Sequence, residues 1–270
     1  MARENDIYTH GHHESVLQSH KWRTVENSAQ FLVEYLKDSS FVLDAGCGPG
    51  NISAGISELL PNGKVIGIDF SSIIIDQAKS EFPTSKYGNL EFQQGDIYQL
   101  DFADNTFDIV YMHQVLQHLQ HPVLALTELR RVLKPGGILA VRDADYQAFT
   151  WYPQLPELDR WGILYREVTQ RNGAESNGGR FLKAWVMQAG LQVIDVSCTT
   201  WVFSNERDRN WWGESWSKRI LESDFAKQSL AYGLSNIGEL EEISQAFLNW
   251  AKDSSGVFTI PNMEVIATKS

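Results

Sequence analysis

The chain has 270 residues, of which 43% are hydrophobic and 21% charged, as in an ordinary water-soluble protein with one principal core. Its formal net charge of −11 disfavours an extended phosphate-binding surface, since nucleic acids are held largely by clustered Lys and Arg. No apolar run reaches the roughly 20 residues that cross a bilayer, the first residues lack the apolar core of a secretion signal, and the only cysteines are Cys47 and Cys198. We therefore expect a cytoplasmic protein with no membrane span and no nucleic-acid partner.

Short apolar runs and amphipathic stretches alternate along the first half of the chain, after a predicted N-terminal helical cap segment at 1–38 that includes a helix over 24–37. Strands are predicted at 41–43, 64–68, 90–94, 107–112 and 138–142. Helices are predicted at 51–60, from Ser71 or Ser72 onward, and at 122–133. Strands that alternate with helices predict a doubly wound α/β fold with a mostly parallel sheet.

The second half of the main domain, which we place at 39–270, adds a helix at 181–189 and two further strands. These strands are predicted at 191–198 and 257–268, and Pro261-Asn262 is expected to interrupt the second one. Two longer segments, near 143–180 and 203–256, are rich in aromatic residues and look mostly helical. We predict that these two insertions form a lid over a substrate.

The loop Gly46-Cys47-Gly48-Pro49-Gly50 follows the first strand and its closing Asp44, and a predicted helix comes directly after it. Glycines at this point let the backbone approach a ligand without interference from a Cβ atom. The spacing G-x-G-x-G differs from the dinucleotide fingerprint G-x-G-x-x-G, and Pro49 removes an amide that a pyrophosphate would need. The loop therefore predicts a ligand without phosphates, of which S-adenosylmethionine is the common one.

Polar residues follow the next three strands: Asp69, then Asp96 with Ile97, then His113. A carboxylate after the second strand can accept both hydroxyls of a ribose, and one after the third can accept an adenine amine. Each residue also has a plainer explanation, since Asp69 could cap a helix, Asp96 could close a turn and His113 could be an ordinary strand-end histidine. Their joint occurrence after successive strands favours a nucleoside site.

Taken in order, these motifs resemble the class I S-adenosylmethionine-dependent methyltransferases, specifically the branch similar to the ubiquinone/menaquinone biosynthesis C-methyltransferases. The matching stretches are 42–50, 65–69, 95–96, 107–110 and 133–137. The resemblance implies a seven-stranded, mostly parallel Rossmann-like sheet with an antiparallel last strand, and S-adenosylmethionine as cofactor with S-adenosylhomocysteine as product. The cofactor-binding residues predicted from motif and resemblance together are Arg23, Asp44, Gly46, Cys47, Gly48, Gly50, Asp69, Phe70, Asp96, Ile97 and His113. Arg23 is included because an arginine there could pair with the cofactor carboxylate, although an exposed salt bridge is an equal alternative.

Methyl transfer from a sulfonium is an in-line displacement, so the protein mainly supplies positioning and exclusion of water. If the acceptor carries a proton, the candidate bases are His113 and then Asp143. The N-terminal Tyr8, His12 and His13 could reach the acceptor, and Trp151 and Trp201 could line an aromatic substrate pocket. The run His10-Gly11-His12-His13 lacks supporting ligands at metal-site spacing, so we predict no metal.

The sequence thus predicts an enzyme of the EC 2.1.1 class that methylates a small organic molecule. A methyltransferase of a protein or RNA is the main alternative, disfavoured by the acidic charge balance. A cofactor-binding regulator without catalysis and a nucleotide-binding oxidoreductase are the others, and the loop spacing with Pro49 opposes the last. The acceptor atom and the oligomeric state are not predictable from the sequence.

Overall fold

Eight strands form a single sheet in the computed structural model, which describes residues 6–7, 9 and 20–270. The strands are β1 Phe41–Ala45, β2 Lys64–Asp69, β3 Leu90–Gln94, β4 Phe107–His113, β5 Leu133–Ala144, β6 Thr150–Tyr152, β7 Gln192–Phe203 and β8 Val257–Thr268. Their order across the sheet is β3-β2-β1-β4-β5-β8-β6, and β7 also pairs with β8. Strands β1 to β5 are parallel, whereas β8 runs antiparallel to β5, β6 and β7. The prediction of a mostly parallel sheet with an antiparallel last strand is confirmed.

The sheet differs from the prediction at two places. It has an eighth strand, the short β6, because residues after Phe149 return to pair with the start of β8. Strand β8 also continues through Pro261-Asn262 without a break, with Pro261 opposite Thr200 of β7. A proline removes only one donor from a strand, and the Pro261 carbonyl still accepts a hydrogen bond from the Asp145 amide at 3.2 Å.

Helices cover both faces of the sheet, as a doubly wound fold requires. They are α1 Asn51–Glu58, α2 Ser72–Glu81, α3 Pro122–Val132, α4 Pro156–Arg171, α5 Gly178–Gln188, α6 Glu206–Glu222, α7 Asp224–Ala231 and α8 Ile237–Lys252. Neighbouring residues of β1 face opposite sides, so that Val42 and Leu43 enter two different hydrophobic clusters. Side-chain caps fix several helix starts, such as Ser71 of α2, whose hydroxyl accepts the Ile74 amide.

The segment before β1 is less regular than the single helix predicted over 24–37. Thr24 forms a capping box with Asn27, after which Val25–Ala29 has π-helical and Gln30–Tyr35 has 3-10 hydrogen bonding. The two pieces meet at Ala29, whose backbone angles (φ −131°, ψ 11°) are not helical. Even so, Val25, Ala29 and Leu32 are buried against the main core.

The two insertions build a third hydrophobic cluster of their own, which we call the insertion core. Trp161 of α4, Trp216 of α6 and Trp250 of α8 are almost fully buried there. Large rings bury much apolar area each, so their convergence stabilises these helices as a packed unit on one end of the sheet. No helix within the described part of the chain combines the length and apolarity that a membrane span needs.

Candidate active site

A cavity of about 280 Å³ opens at the carboxyl ends of β1 to β4. Parallel α/β sheets bind ligands at this edge because the loops after neighbouring strands converge there. We call this space the large cavity. Its lining includes Arg23, Asp44, Gly46, Cys47, Gly48, Pro49, Asp69, Phe70, Asp96, Ile97, His113 and Gln114.

The backbone amides of the glycine loop donate their hydrogen bonds to acceptors within the protein. The amides of Gly46 and Cys47 donate to the Ile68 carbonyl at 2.8 and 2.9 Å, and the Gly50 amide donates to the Cys47 carbonyl at 3.1 Å. The Gly48 amide donates to Oδ2 of Asp69 at 3.1 Å, and Pro49 has no amide proton to offer. A phosphate group is held by convergent backbone donors, and this loop has none to spare. The loop therefore fits a ligand without phosphates.

The carboxylate of Asp69 ties the glycine loop to the start of α2. Besides accepting the Gly48 amide through Oδ2, it accepts the Ser71 amide through Oδ1 at 3.0 Å. Asp96 accepts the Tyr98 amide through Oδ1 at 2.9 Å, which fixes the loop after β3. Both carboxylates line the large cavity, so each has a structural role in its loop and faces the space where a ligand would sit.

Asp44 and Cys47 are two buried residues in the wall of the large cavity. Burial, partly opposed by a hydrogen bond from Ser53 and reinforced by the nearby Asp69, raises the pKa of Asp44 to about 7. Burial also raises the pKa of the Cys47 thiol, together with the carboxylates of Asp44 and Asp69. Cys47 is therefore a neutral thiol at physiological pH and not a nucleophile.

His113 is buried at the end of β4 and stays uncharged. Burial, with Arg23 and Arg142 nearby, holds the pKa of His113 well below its usual range. Its Nδ1 lies 3.4 Å from Nη1 of Arg142, and because an arginine only donates, Nδ1 is the acceptor and Nε2 carries the proton. Arg142 is itself held by an ion pair with Glu264 at 3.0 Å. In this tautomer Nε2 of His113 has a proton to donate, and the lowered pKa makes the ring a weak base.

A second, smaller cavity of about 40 Å³ lies next to the first, and we call it the small cavity. Its walls are mostly aromatic: Trp22, Tyr146, Phe149, Trp201, Phe203, Trp211, Trp212 and Trp216. Four residues line both cavities, namely His20, Arg23, Gln114 and His118. The two cavities therefore meet at a junction formed by the N-terminal segment and the loop after β4.

The walls of the small cavity come from distant parts of the chain. The Trp22 ring lies 5.2 Å from that of Trp201 and 5.5 Å from that of Trp211, measured between ring centroids. The Trp201 indole donates to the Asn27 carbonyl at 2.6 Å, and the Arg142 guanidinium stacks over its ring at 4.7 Å. These contacts join β7 and α6 to the segment that precedes β1.

The chain is similar to methyltransferases over its whole length. A family model described as "Methyltransferase domain" matches residues 36–183. An uncharacterized methyltransferase from Schizosaccharomyces pombe is 34% identical over 288 residues, which cover 100% of this chain and 99% of that protein. The chain belongs to the methyltransferase family.

Further matches extend this result and agree with the fold. A probable methyltransferase from Aspergillus luteorubrus is 32% identical to this methyltransferase over 283 residues, with 98% of each chain covered. The demethylmenaquinone methyltransferase of Lactococcus lactis is 36% identical over 118 residues, which cover 43% of this chain and 47% of that protein. The YcgJ protein from Bacillus subtilis has the same fold, with a TM-score of 0.60 and 19% identity over 90% of this chain and 98% of that one. The predicted membership in the class I S-adenosylmethionine-dependent methyltransferases is confirmed.

Most of the residues predicted to bind the cofactor in this methyltransferase lie together in the large cavity. Gly50 is the exception, since it does not line either cavity. Its φ of 89° starts α1, and a Cβ atom there would lie only 2.6 Å from the Phe92 ring. The turn and the packing against Phe92 therefore require a glycine at this position.

Two residues predicted for catalysis or substrate binding lie away from the cavities. Asp143 is buried and lines neither cavity; it accepts backbone hydrogen bonds from Val115 and Gln117, and burial raises its pKa well above the usual range. Its hydrogen bonds with Val115 and Gln117 anchor the loop after β4. Trp151 packs into the insertion core, stacked on Phe258 at 5.5 Å, because β6 pairs with β8.

Trp201, the remaining described residue predicted to bind substrate, does line the small cavity. Tyr8, His12 and His13 lie outside the described residues. Among residues 6–7, 9 and 20–270, no group of three or more His, Cys, Asp or Glu side chains is arranged to hold a metal ion. The absence of a metal stays a prediction.

Sequence reasoning missed Gln114, His118 and Arg219, all of which line the small cavity. Gln114 directly follows β4, so the rule that strand ends carry functional residues would have found it one position after His113. Burial and the nearby Arg23 lower the pKa of His118 to about 3, which keeps it uncharged. Arg219 lies inside α6, and no local pattern marks it, since only the fold brings α6 to the sheet edge.

Proposed function

We propose that this methyltransferase moves a methyl group from S-adenosylmethionine in the large cavity to a small organic molecule in the small cavity. The observation that carries the proposal is the junction, where His20, Arg23, Gln114 and His118 line both spaces. In-line transfer requires the donor and the acceptor to meet at one shared boundary. The aromatic walls favour a flat or apolar acceptor.

The described residues fit the cofactor that the family uses. Asp69 would accept hydrogen bonds from the ribose hydroxyls, and Asp96 and the Ile97 amide would form hydrogen bonds with the adenine. Arg23 would pair with the amino-acid carboxylate. All four residues line the large cavity. The bound cofactor would supply an activated methyl group on a sulfonium, so the chain needs no nucleophile of its own.

The protein's contribution, in this proposal, is to position the acceptor and to exclude water from the junction. His118 at the junction and His113 in the wall of the large cavity are both uncharged, because burial and Arg23 lower the pKa of each. The protonated Nε2 of His113 can donate a hydrogen bond that orients the acceptor or the cofactor carboxylate. The insertions supply the remaining walls, which agrees with their predicted role as a substrate lid.

The size of the small cavity favours a small acceptor over a macromolecule. At about 40 Å³ it holds a few groups the size of water, since each such group needs roughly 10–15 Å³. The net charge of −11 also disfavours an RNA substrate. We place the enzyme in the cytoplasm because the sequence has only two cysteines, Cys47 and Cys198, which fits a reducing compartment.

The test has two parts. Calorimetry should show tight binding of S-adenosylhomocysteine and no measurable binding of oxidised or reduced nicotinamide dinucleotides. A cell extract incubated with the enzyme and tritiated S-adenosylmethionine is then separated into small-molecule, protein and RNA fractions. Label in the small-molecule fraction is the expected result. Label confined to protein or RNA would reject the proposed substrate class, and binding without any label would indicate a regulator.

A further inference from the structure

Gln114 occupies the junction of the two cavities in an uncommon backbone conformation. Its φ is 53°, and Asn105 is the only other non-glycine residue in the described part of the chain with a positive φ. Left-handed angles are rare for glutamine and cluster at functional sites. The Gln114 amide donates to the Arg142 carbonyl at 2.7 Å, which holds this conformation in place.

The side chain of Gln114 forms the middle of a directed chain of hydrogen bonds. Its Oε1 accepts from Nη2 of Arg23 at 2.6 Å, and its Nε2 donates to Oδ1 of Asn262 at 2.9 Å. Asn262 is completely buried in β8 and donates onward to the Ile260 carbonyl at 2.9 Å. Because Arg23 only donates and the Ile260 carbonyl only accepts, the orientation of both amide groups is fixed.

This chain links the rigid sheet to the guanidinium of Arg23. Arg23 lies on a segment of irregular helical turns before β1, whereas Asn262 lies in a strand that is paired on both sides. A hydrogen bond of 2.6 Å to a charged donor is strong and directional. Through these hydrogen bonds, Gln114 fixes the Arg23 guanidinium relative to the sheet.

We propose that Gln114 is a positioning residue that holds Arg23 in place for the amino-acid carboxylate of the cofactor. The inference rests on the proposed function, in which Arg23 binds that carboxylate. A neutral amide suits this role because it accepts from Arg23 without cancelling its charge. A carboxylate at the same position would form an ion pair with Arg23 and compete with the cofactor.

The test compares two ligands that differ in the group that Arg23 would bind. S-adenosylhomocysteine carries the amino-acid carboxylate, whereas 5′-methylthioadenosine has the same nucleoside and thioether without it. Gln114→Glu should raise the calorimetric Kd of S-adenosylhomocysteine by about tenfold or more, and that of methylthioadenosine by less than about twofold. A merely structural role would weaken the binding of both ligands equally.

Two further variants complete the experiment. Gln114→Met has a similar length and no hydrogen bonds, so it should raise the Kd of S-adenosylhomocysteine by about threefold to tenfold while sparing methylthioadenosine. Gln147→Glu is the matched control, because Oε1 of Gln147 accepts from Nη1 of Arg180 at 3.0 Å outside both cavities. It should leave both dissociation constants unchanged.

The possible failures are distinguishable. If the wild-type protein does not bind S-adenosylhomocysteine, the proposed function fails and this inference fails with it. If the wild type binds but neither Gln114 variant discriminates between the two ligands, the inference about Gln114 is wrong and the proposed function stands. If circular dichroism shows that Gln114→Glu does not fold, the two ligands are compared on Gln114→Met alone.

Discussion

The hydroxyl of Ser53 donates a hydrogen bond to Oδ2 of Asp44 at 2.5 Å, where both side chains are buried. Asp44 is the next-to-last residue of β1 and also lines the large cavity, so this pair joins α1 to the centre of the sheet edge. The hydrogen bond favours the ionised carboxylate, whereas burial opposes it more strongly and brings the pKa of Asp44 to about 7. The contribution of Asp44 to the unfolding free energy therefore depends on pH near neutrality.

Replacing Asp44 by Asn should remove a pH dependence of stability. The native state binds the Asp44 proton more tightly than the unfolded chain does, so the stabilisation is complete below about pH 4 and is lost as pH rises through about 7. The unfolding free energy of the wild type should therefore fall relative to Asp44→Asn by roughly 3–4 kcal/mol between about pH 4 and pH 8. Urea unfolding of both proteins across this range measures the difference.

Ser53→Ala is the partner variant for this experiment. Loss of the hydroxyl removes the one hydrogen bond that favours the ionised carboxylate, so the fall in stability should extend to higher pH. A constant difference between wild type and Asp44→Asn at all pH values would show that Asp44 does not titrate between the folded and unfolded states as stated.

Asp69 should contribute more to cofactor binding than His113 does. The Asp69 carboxylate lines the large cavity and also accepts the Gly48 amide, whereas His113 is neutral and lies beside Arg142. Asp69→Ala should raise the Kd of S-adenosylhomocysteine by about tenfold to a hundredfold, and His113→Ala by about threefold, because hydrogen bonds to charged groups are the stronger ones. Calorimetry measures both values.

Asp76→Ala, on an exposed position of α2, is the control for the Asp69 variant. It removes the same side chain outside the cavity and should bind the ligand as the wild type does. Equal losses for Asp69→Ala and His113→Ala would contradict the roles given to the two residues.

Trp211 should matter for the methyl acceptor and not for the cofactor. It lines only the small cavity, where its ring lies 5.5 Å from that of Trp22. Trp211→Ala should reduce label transfer to the small-molecule fraction by about tenfold or more, because a displaced acceptor loses its alignment. The Kd of S-adenosylhomocysteine should stay the same.

Trp185→Ala supplies the comparison for Trp211. This tryptophan is also half-buried on a helix, but it stacks on Phe181 at 5.7 Å and lines neither cavity. Label transfer should survive this substitution. If both variants lose activity alike, the loss reflects general destabilisation and the assignment of the small cavity to the acceptor is wrong.

Two glycines with similar backbone angles should differ in their tolerance of alanine. Gly46 has φ of 82°, and a Cβ atom there would lie 2.3 Å from Cγ2 of Val115. Gly136 has φ of 73° and no atom within 4 Å of such a Cβ. Gly46→Ala should cost about 3 kcal/mol of unfolding free energy and Gly136→Ala about 1 kcal/mol, since only the first adds a clash to the backbone strain. Urea unfolding distinguishes the two, and equal costs would show that Val115 moves aside.

Patterns local to the sequence predicted the sheet edge well. The apolar run of β1, its closing Asp44 and the glycine loop are contiguous, and so are β2 with Asp69 and β3 with Asp96. Parallel strands bring such neighbouring motifs together without further information, because successive crossovers have one hand. Their meeting in the large cavity follows from local pattern and this rule alone.

The small cavity was not predictable in the same way. Trp151 and Trp201 are both predicted to line an aromatic substrate pocket, but only Trp201 lines the small cavity, and Trp151 lies in the insertion core. Both are aromatic residues near the predicted insertions, and nothing in their sequence neighbourhoods separates them. The pairing of β6 with β8 turned Trp151 away, and long-range pairing of this kind leaves no local signal.

The amino-acid sequence by itself determined the parallel sheet, the glycine loop after its first strand, and the positions of Asp69 at the end of β2 and Asp96 after β3. Each of these depends on residues a few positions apart, or on strands that follow one another. Only the tertiary structure decided that Arg23, Gln114 and Asn262 form one chain of hydrogen bonds and that Trp22 and Trp211 wall one cavity. Arg23 and Asn262 are 239 positions apart in the sequence. Residues so far apart meet only through packing, and no periodicity in the sequence indicates their contact.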